Sequence, residues 1–219
     1  MEVSMDLTIF DLDGTLIDSK LDLAHAVNAA VEHLGLPRLT LERIASYVGN
    51  GAPVLMRRAI GPDASEEELA LGLAYFMQYY RDHMLDYTTV YPGVRETLDL
   101  MRDRGAKMAV LTNKPVGLSK AIVGALGLDG HFFQVYGGNS FDQKKPHPMG
   151  IEILMSEAGV ATGRAMMVGD SAVDIQTARN AGIQSCGVTY GFQPETLTTT
   201  PPDFLIDRME QLPGILWQN

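Results

Sequence analysis

The chain has 219 residues, 46% hydrophobic and 20% charged, a net charge of −10 and one cysteine. That composition fits one large or two small globular domains and excludes a disulfide-stapled or low-complexity chain. The acidity weighs against nucleic acid or an anionic membrane as a partner, because both attract basic surfaces.

Met1 to Asp6 lacks the basic start and apolar stretch of a secretory leader, and no run reaches the roughly 18 apolar residues of a membrane span. The expected location is therefore the cytoplasm, and Cys186, in an apolar neighbourhood, reads as a small core residue. The first element is a short buried strand at residues 6–10, which ends in Asp11 and Asp13. Residues two apart in an extended chain project to one side, so both carboxylates start on the same side of the strand end, and Gly14 lets the chain turn. Ser19 begins a helix to about Leu34, closed by Gly35. Thr40 caps a second helix bearing Leu41, Ile44 and Val48, which Gly49-Asn50-Gly51 breaks. A third helix spans 52–60, and Ser65 with Glu68 forms a capping box ahead of Leu69, Leu73, Phe76 and Tyr80.

The texture changes at Tyr91-Pro92-Gly93. A helix at 94–104 is followed by a strand at 107–111, a helix at 116–126, a weaker strand at 132–136 and a helix at 148–158. Then come a strand at 165–168, a helix at 174–181, a strand at 185–188 and a last strand at 204–206. Strands alternating with helices predict a doubly wound α/β core with a parallel sheet, interrupted after its first strand by a helical insertion. The expected division is a core of residues 1–16 and 89–219 and a helical domain of residues 17–88.

Sites in such sheets form outside the carboxyl ends of the strands. Four segments meet that condition: Asp11 with Asp13; Thr112-Asn113-Lys114; Lys144-Lys145-Pro146 just before a helix; and Gly169-Asp170-Ser171 with Asp174 a turn later. Taken singly they are an Asp-Gly turn, a helix cap, a solvated loop and an ordinary turn. Together on one edge they supply a carboxylate cluster, a hydroxyl and a lysine. Clustered carboxylates suit a hard divalent cation, a threonine and backbone N–H groups suit phosphate oxygens, and an aspartate can attack phosphorus. The five histidines show no paired metal spacing, and no nucleophile elbow or P-loop sequence occurs.

The set Asp11-Leu12-Asp13-Gly14-Thr15-Leu16, Leu111-Thr112-Asn113, Lys145-Pro146 and Gly169-Asp170-Ser171-Ala172-Val173-Asp174 resembles the motifs of the haloacid dehalogenase superfamily of phosphatases. Tyr47 to Pro53, Thr112 to Pro115, Lys144 to Pro148 and Gly187 to Gly191 are similar to its phosphoglycolate phosphatase branch. Asn139 departs from that pattern, where many relatives carry Asp. The resemblance implies a Rossmann-like core with a cap domain and hydrolysis of 2-phosphoglycolate through an aspartyl-phosphate. It implies Asp11 as nucleophile and Asp13 as general acid and base. Mg²⁺ is then held by the Asp11 and Asp170 carboxylates and the Asp13 carbonyl, with Asp174 in the outer shell. Phosphate falls to Thr112, Asn113 and Lys145. From the residues themselves, Gly49, Asn50 and Gly51 are expected to read the substrate carboxylate, because two glycines let the backbone turn and the N–H groups opening the next helix can form an anion nest, with Arg57 or Arg58 adding charge. The partner is a small phosphorylated metabolite, and the chain is expected to be a monomer or homodimer. Two alternatives stay open: an enzyme for another phosphoester, pyrophosphate or a sugar-phosphate mutase reaction, and a catalytically silent binding module.

Overall fold

The computed structural model describes residues 5–217, so most of the Met1 to Asp6 segment read for a leader lies outside the described residues. Strand β1 (Leu7–Phe10) is central in a six-stranded parallel sheet. Its neighbours are β4 (Lys107–Leu111), with β5 (Gln134–Tyr136) outside it, and β6 (Ala165–Gly169), with β7 (Gln184–Val188) and β8 (Phe204–Ile206) outside that. The chain leaves β1 for β4 and β5 on one side, then crosses back to β6, β7 and β8 on the other. The order therefore reverses beside β1, the crevice where ligands bind in open α/β sheets.

The strands are apolar on both faces because helices cover both. Leu7, Ile9, Ala109, Leu111, Ala165 and Met167 pack with Ile151 and Leu154 of helix α7 (Met149–Ala158) and Ala178 of α8 (Ala172–Ala181). The alternate residues Phe10, Met108, Val110, Met166 and Val168 face the other side. There they join Leu98 and Met101 of α5 (Val94–Asp103), Leu118 and Ile122 of α6 (Val116–Ala125), and Leu212 and Leu216 of α9 (Leu212–Leu216). Cys186 sits within this core, where burial pushes its thiol up to about 12, as befits an unreactive packing residue.

Between Asp18 and Thr89 the chain makes four helices: α1 (Lys20–His33), α2 (Leu41–Ala45), α3 (Ala52–Ile60) and α4 (Glu66–His83). The Ser65–Glu68 capping box forms as the sequence predicts, with Glu68 N–H donating to Ser65 Oγ and Ser65 N–H to Glu68 Oε2. Helix α2 stops at Ala45, short of Val48, because the chain must turn into the Gly49-Asn50-Gly51 loop. Leu23, Val27 and Val31 of α1 and Phe76 and Tyr80 of α4 belong to the same apolar cluster as Phe10 and Val168 of the sheet, so the insertion is seated on the core.

One feature absent from the predicted elements is a two-stranded antiparallel ribbon, β2 (Ile17–Asp18) against β3 (Thr89–Val90), where the chain enters and leaves the insertion. Two-residue strands carry too little pattern to be read from sequence. Asp22, 1% exposed, secures this neck: it accepts hydrogen bonds from the N–H groups of Tyr87 and Thr88 and from the Thr88 hydroxyl. Asp22→Ala leaves those donors unpaired, and the expected loss of about 1–3 kcal/mol is measurable by urea unfolding. An unchanged unfolding midpoint would show that the neck does not depend on this carboxylate.

Candidate active site

The switch point places the motif residues side by side. β1 pairs with β6 in the register Phe10 to Val168, and the Asp11 N–H donates to the Val168 carbonyl. Asp11 and Asp170 thus emerge next to each other. β4 runs along the other side of β1, in the register Phe10 to Val110, and delivers Thr112, Asn113 and Lys114. Carboxylate oxygens of Asp11, Asp170 and Asp174 lie within 4.8 Å of one another, and all three residues are buried. Lys145, just before α7, extends its Nζ to 2.8 Å from Asp11 Oδ1 and 2.7 Å from Asp174 Oδ1. The other Asp174 oxygen accepts from Ser171 Oγ and N–H, so Asp174 is committed to positioning its neighbours.

Three glycines make room for these carboxylates. A Cβ on Gly14 would stand 2.3 Å from Asp170 Oδ2, one on Gly191 would stand 2.2 Å from Asp170 Cβ, and one on Gly169 would stand 2.3 Å from the Asp174 side chain. The close approach of Gly191 lets the following N–H groups, of Phe192 and Gln193, donate to Asp170 Oδ2 at 2.6 and 3.4 Å.

A second ion pair lies beside the first. Asp13 receives Lys114 Nζ on both oxygens, at 2.8 and 3.0 Å, and the Ser19 hydroxyl on Oδ1. Lys114 Nζ also donates to Tyr80 Oη at 2.7 Å, which joins the core to α4. Sequence reasoning grouped Lys114 with its strand end and assigned it no role; the signal was the need for a cation in so acidic a site. Tyr80 gave no signal, since its helical spacing marks it only as core.

Asp11, Asp13, Thr112, Asn113 and Asp170 line one cleft together with Gly49 and Gly51, while Lys145 and Asp174 lie behind it, joined to Asp11. The Asn113 side-chain amide donates to the carbonyls of Gly49 and Lys145, and Lys144 Nζ donates to the Asn50 carbonyl at 2.7 Å. The carbonyls of the Gly-Asn-Gly loop are therefore fastened to the core. Arg57 and Arg58 do not line the cleft: Arg57 is held by the Ala64 carbonyl and Glu66, and Arg58 by the Tyr47 carbonyl. Asn139 caps α6 by accepting the Val116 N–H at 2.8 Å, a task an Asn oxygen performs as an Asp oxygen does.

The electrostatics of the site are unbalanced. Four aspartates, Asp11, Asp13, Asp170 and Asp174, face two lysines, Lys114 and Lys145, a formal excess of two negative charges. Burial, opposed by Lys145 and assisted by Asp174 and Asp13, raises Asp11 from 3.8 to about 6. Burial and the charges of Asp174 and Asp11 raise Asp170 well above the carboxylate range. Oxygen donors, a buried setting and an excess charge of two fit a divalent cation held by Asp11 and Asp170.

The comparisons agree with this geometry. Residues 8–188 match the family model described as haloacid dehalogenase-like hydrolase. A phosphoglycolate phosphatase of Vibrio parahaemolyticus is 41% identical over 213 residues, covering 94% of this chain and 93% of that protein. One of Pseudomonas savastanoi pv. phaseolicola is 41% identical over 217 residues, covering 96% and 79%. A crystal structure described as a predicted phosphoglycolate phosphatase, from Haemophilus somnus 129pt, superposes with a TM-score of 0.92 at 33% identity, covering 96% of this chain and 97% of that one. The chain belongs to the haloacid dehalogenase-like hydrolase family. Within that family it is an enzyme of the phosphatase kind.

The raised carboxyls set a sign for stability. Protonation of Asp11 favours the metal-free fold at low pH, a contribution lost as pH rises through about 6, and Asp170, raised in the same direction by burial and its acidic neighbours, adds to it. A divalent cation competes with those protons. The thermal midpoint gained on adding a saturating divalent metal salt is expected to be larger at about pH 7.5 than at about pH 5. An equal or larger gain at the lower pH would contradict cation binding at these carboxylates.

Proposed function

We propose that the enzyme is a Mg²⁺-dependent phosphomonoester hydrolase acting on 2-phosphoglycolate through a phosphoryl group carried by Asp11. The observation that carries the reading is the Asp11 carboxylate held 2.8 Å from Lys145, beside Asp170, with Asp13 two residues along and separately fastened. Lys145 fixes the Asp11 rotamer, and Asp174 fixes Lys145. One Asp11 oxygen attacks phosphorus as the ester bond breaks, giving an aspartyl-phosphate and an alkoxide. Asp13, protonated in the substrate complex, gives that proton to the alkoxide and then recovers one from the water that attacks the aspartyl-phosphate, which returns Asp11 and releases inorganic phosphate. Mg²⁺, held by the Asp11 and Asp170 carboxylates and the Asp13 carbonyl, would supply charge neutralisation so that a phosphate dianion can approach. Thr112 and the N–H groups of its turn receive phosphate oxygens, with Asn113 bracing the turn.

On this reading residues 17–88 are a cap over a core of residues 1–16 and 89–219, and the enzyme works on a small phosphorylated metabolite in the cytoplasm. Gly49 and Gly51 form the cap's edge of the cleft, and Asn50 between them is tied by its carbonyl to Lys144. The named relatives are phosphoglycolate phosphatases, which supports the choice of substrate.

Phosphate release from a panel of phosphoesters, with Mg²⁺ and with excess chelator, tests the reading. Turnover of 2-phosphoglycolate is expected only with the metal, and full activity in chelator would overturn it. Asp11→Asn is expected to lower kcat by about 10³-fold or more while the protein stays folded, since an amide is a poor nucleophile. Near-normal kcat in that variant would exclude Asp11 as the nucleophile. Gly51 has φ +86°, and a Cβ there would stand 3.1 Å from the Asn113 carbonyl oxygen. Gly51→Val is therefore expected to cut kcat/KM by about tenfold or more by displacing the loop from Asn113. Unaltered steady-state kinetics would show that the loop edge does not shape the cleft.

A further inference from the structure

The cleft has an anionic half and an apolar half, with one cation between them. Asp11, Asp13 and Asp170 line the first, and Val48, Leu55, Phe76, Met77 and Leu118 line the second. Lys114 is the only cationic side chain among the described lining residues. It is 8% exposed and directs its three N–H donors to Asp13 Oδ1, Asp13 Oδ2 and Tyr80 Oη. Its Nζ also lies 4.6 Å from the centroid of the Tyr80 ring.

The order of atoms in a phosphomonoester fixes where the rest of the substrate goes. On the reading above, phosphorus faces Asp11 and the ester oxygen faces Asp13. Whatever is bonded to the ester oxygen then lies in the part of the cleft beside Asp13, which Lys114 and Tyr80 also line. In a 2-phosphocarboxylate one carbon separates the ester oxygen from the carboxyl carbon. The carboxylate therefore reaches roughly 3–4 Å beyond the ester oxygen by standard bond lengths. Lys114 Nζ, 2.8–3.0 Å from the Asp13 oxygens, falls within that reach. The neighbouring cations are engaged elsewhere: Lys145 with Asp11 and Asp174, Lys144 with the Asn50 carbonyl, and Lys20 over the Phe192 ring at 5.0 Å.

We propose that Lys114 is the specificity-determining residue of the cleft: its ammonium, steadied by Tyr80, receives the carboxylate that the substrate carries one carbon from its ester oxygen. The inference rests on the hydrolase reading. A lysine suits the task because its charge is a compact point at the end of a flexible stem, able to exchange one carboxylate oxygen for another. The apolar walls strengthen the pairing by excluding water, and Leu55 and Phe76 offer a polar substituent no side-chain hydrogen-bond partner. Because Tyr80 belongs to α4, recognition by Lys114 also depends on the helical insertion being seated on the core.

The test is ligand binding by titration calorimetry in the turnover-deficient Asp11→Asn protein with Mg²⁺, comparing 2-phosphoglycolate with ethyl phosphate, which has the same length and no carboxylate. Adding Lys114→Met is expected to raise the Kd for 2-phosphoglycolate by about tenfold or more, and that for ethyl phosphate by less than about threefold, the difference being the lost charge pair. Should that variant fail to fold, Lys114→Gln, which keeps a polar head without the charge, gives the same comparison. Equal changes for both ligands, or none for either, would overturn the proposal and leave Lys114 as a support for Asp13 alone. Failure of the hydrolase reading registers separately, as absence of phosphate release from any ester by the unmodified enzyme, because the binding comparison does not depend on turnover.

Discussion

The structure depends on a cost that the protein alone does not meet: four aspartates gathered at the end of a parallel sheet with two lysines to answer them. Buried like charges are held in place only when the surrounding fold over-determines them. Here the fold does so by placing β1 and β6 side by side at the point where strand order reverses, and by glycines at 14, 169 and 191 that let backbone close on the carboxylates. The two lysines are deployed unequally. Lys145 bridges Asp11 and Asp174 behind the cleft, whereas Lys114 clasps Asp13 within it. That separation gives two aspartates two residues apart different environments, the condition under which two like groups take different chemical roles.

The helical insertion reaches the same chemistry through few polar contacts. Tyr80 meets Lys114, the Gly49 carbonyl meets Asn113, the Asn50 carbonyl meets Lys144, and the carbonyls of Ala45 and Val48 meet the Gln193 side-chain amide. In these four contacts the insertion offers oxygen and the core offers the donor, whereas at Asp13 the insertion's Ser19 hydroxyl is the donor. Such a seam holds by direction as well as by area, and each donor in it is a neighbour of a site residue. Asp22 separately fastens the neck of the insertion.

Much of this was legible in the sequence, for physical reasons. Strands β1, β4 and β6 are mainly apolar and run directly into Asp11, Thr112-Asn113 and Gly169-Asp170, so their existence and their chemically loaded ends could be read together. Helices α3 and α4 announced themselves through Gly51 and the Ser65–Glu68 box. Asp11, Asp13, Thr112, Asn113, Lys145, Asp170 and Asp174, which the structure brings together, could be nominated because residues clustered at strand ends and before helices leave a local signature. What was not legible depends on distant pairing. The ribbon of Ile17–Asp18 with Thr89–Val90 joins segments about seventy residues apart and has no pattern of its own. The grip of Lys114 on Asp13 joins residues 101 apart, and Gly191 shows its purpose only once Asp170 lies against it. Arg57 and Arg58 were candidates on charge alone, and their partners, Glu66 and the Tyr47 carbonyl, could be known only from the packing of α3.

The central claim is that Asp11 carries the phosphoryl group between ester and water. The most direct measurement is rapid acid quench of the enzyme during turnover of phosphoryl-labelled 2-phosphoglycolate with Mg²⁺, followed by peptide mapping of the bound label. The account predicts label on the peptide containing Asp11, acid-stable and lost in hydroxylamine as an acyl phosphate is. Label on another residue, or phosphate release in the same burst with no label on protein, would contradict it.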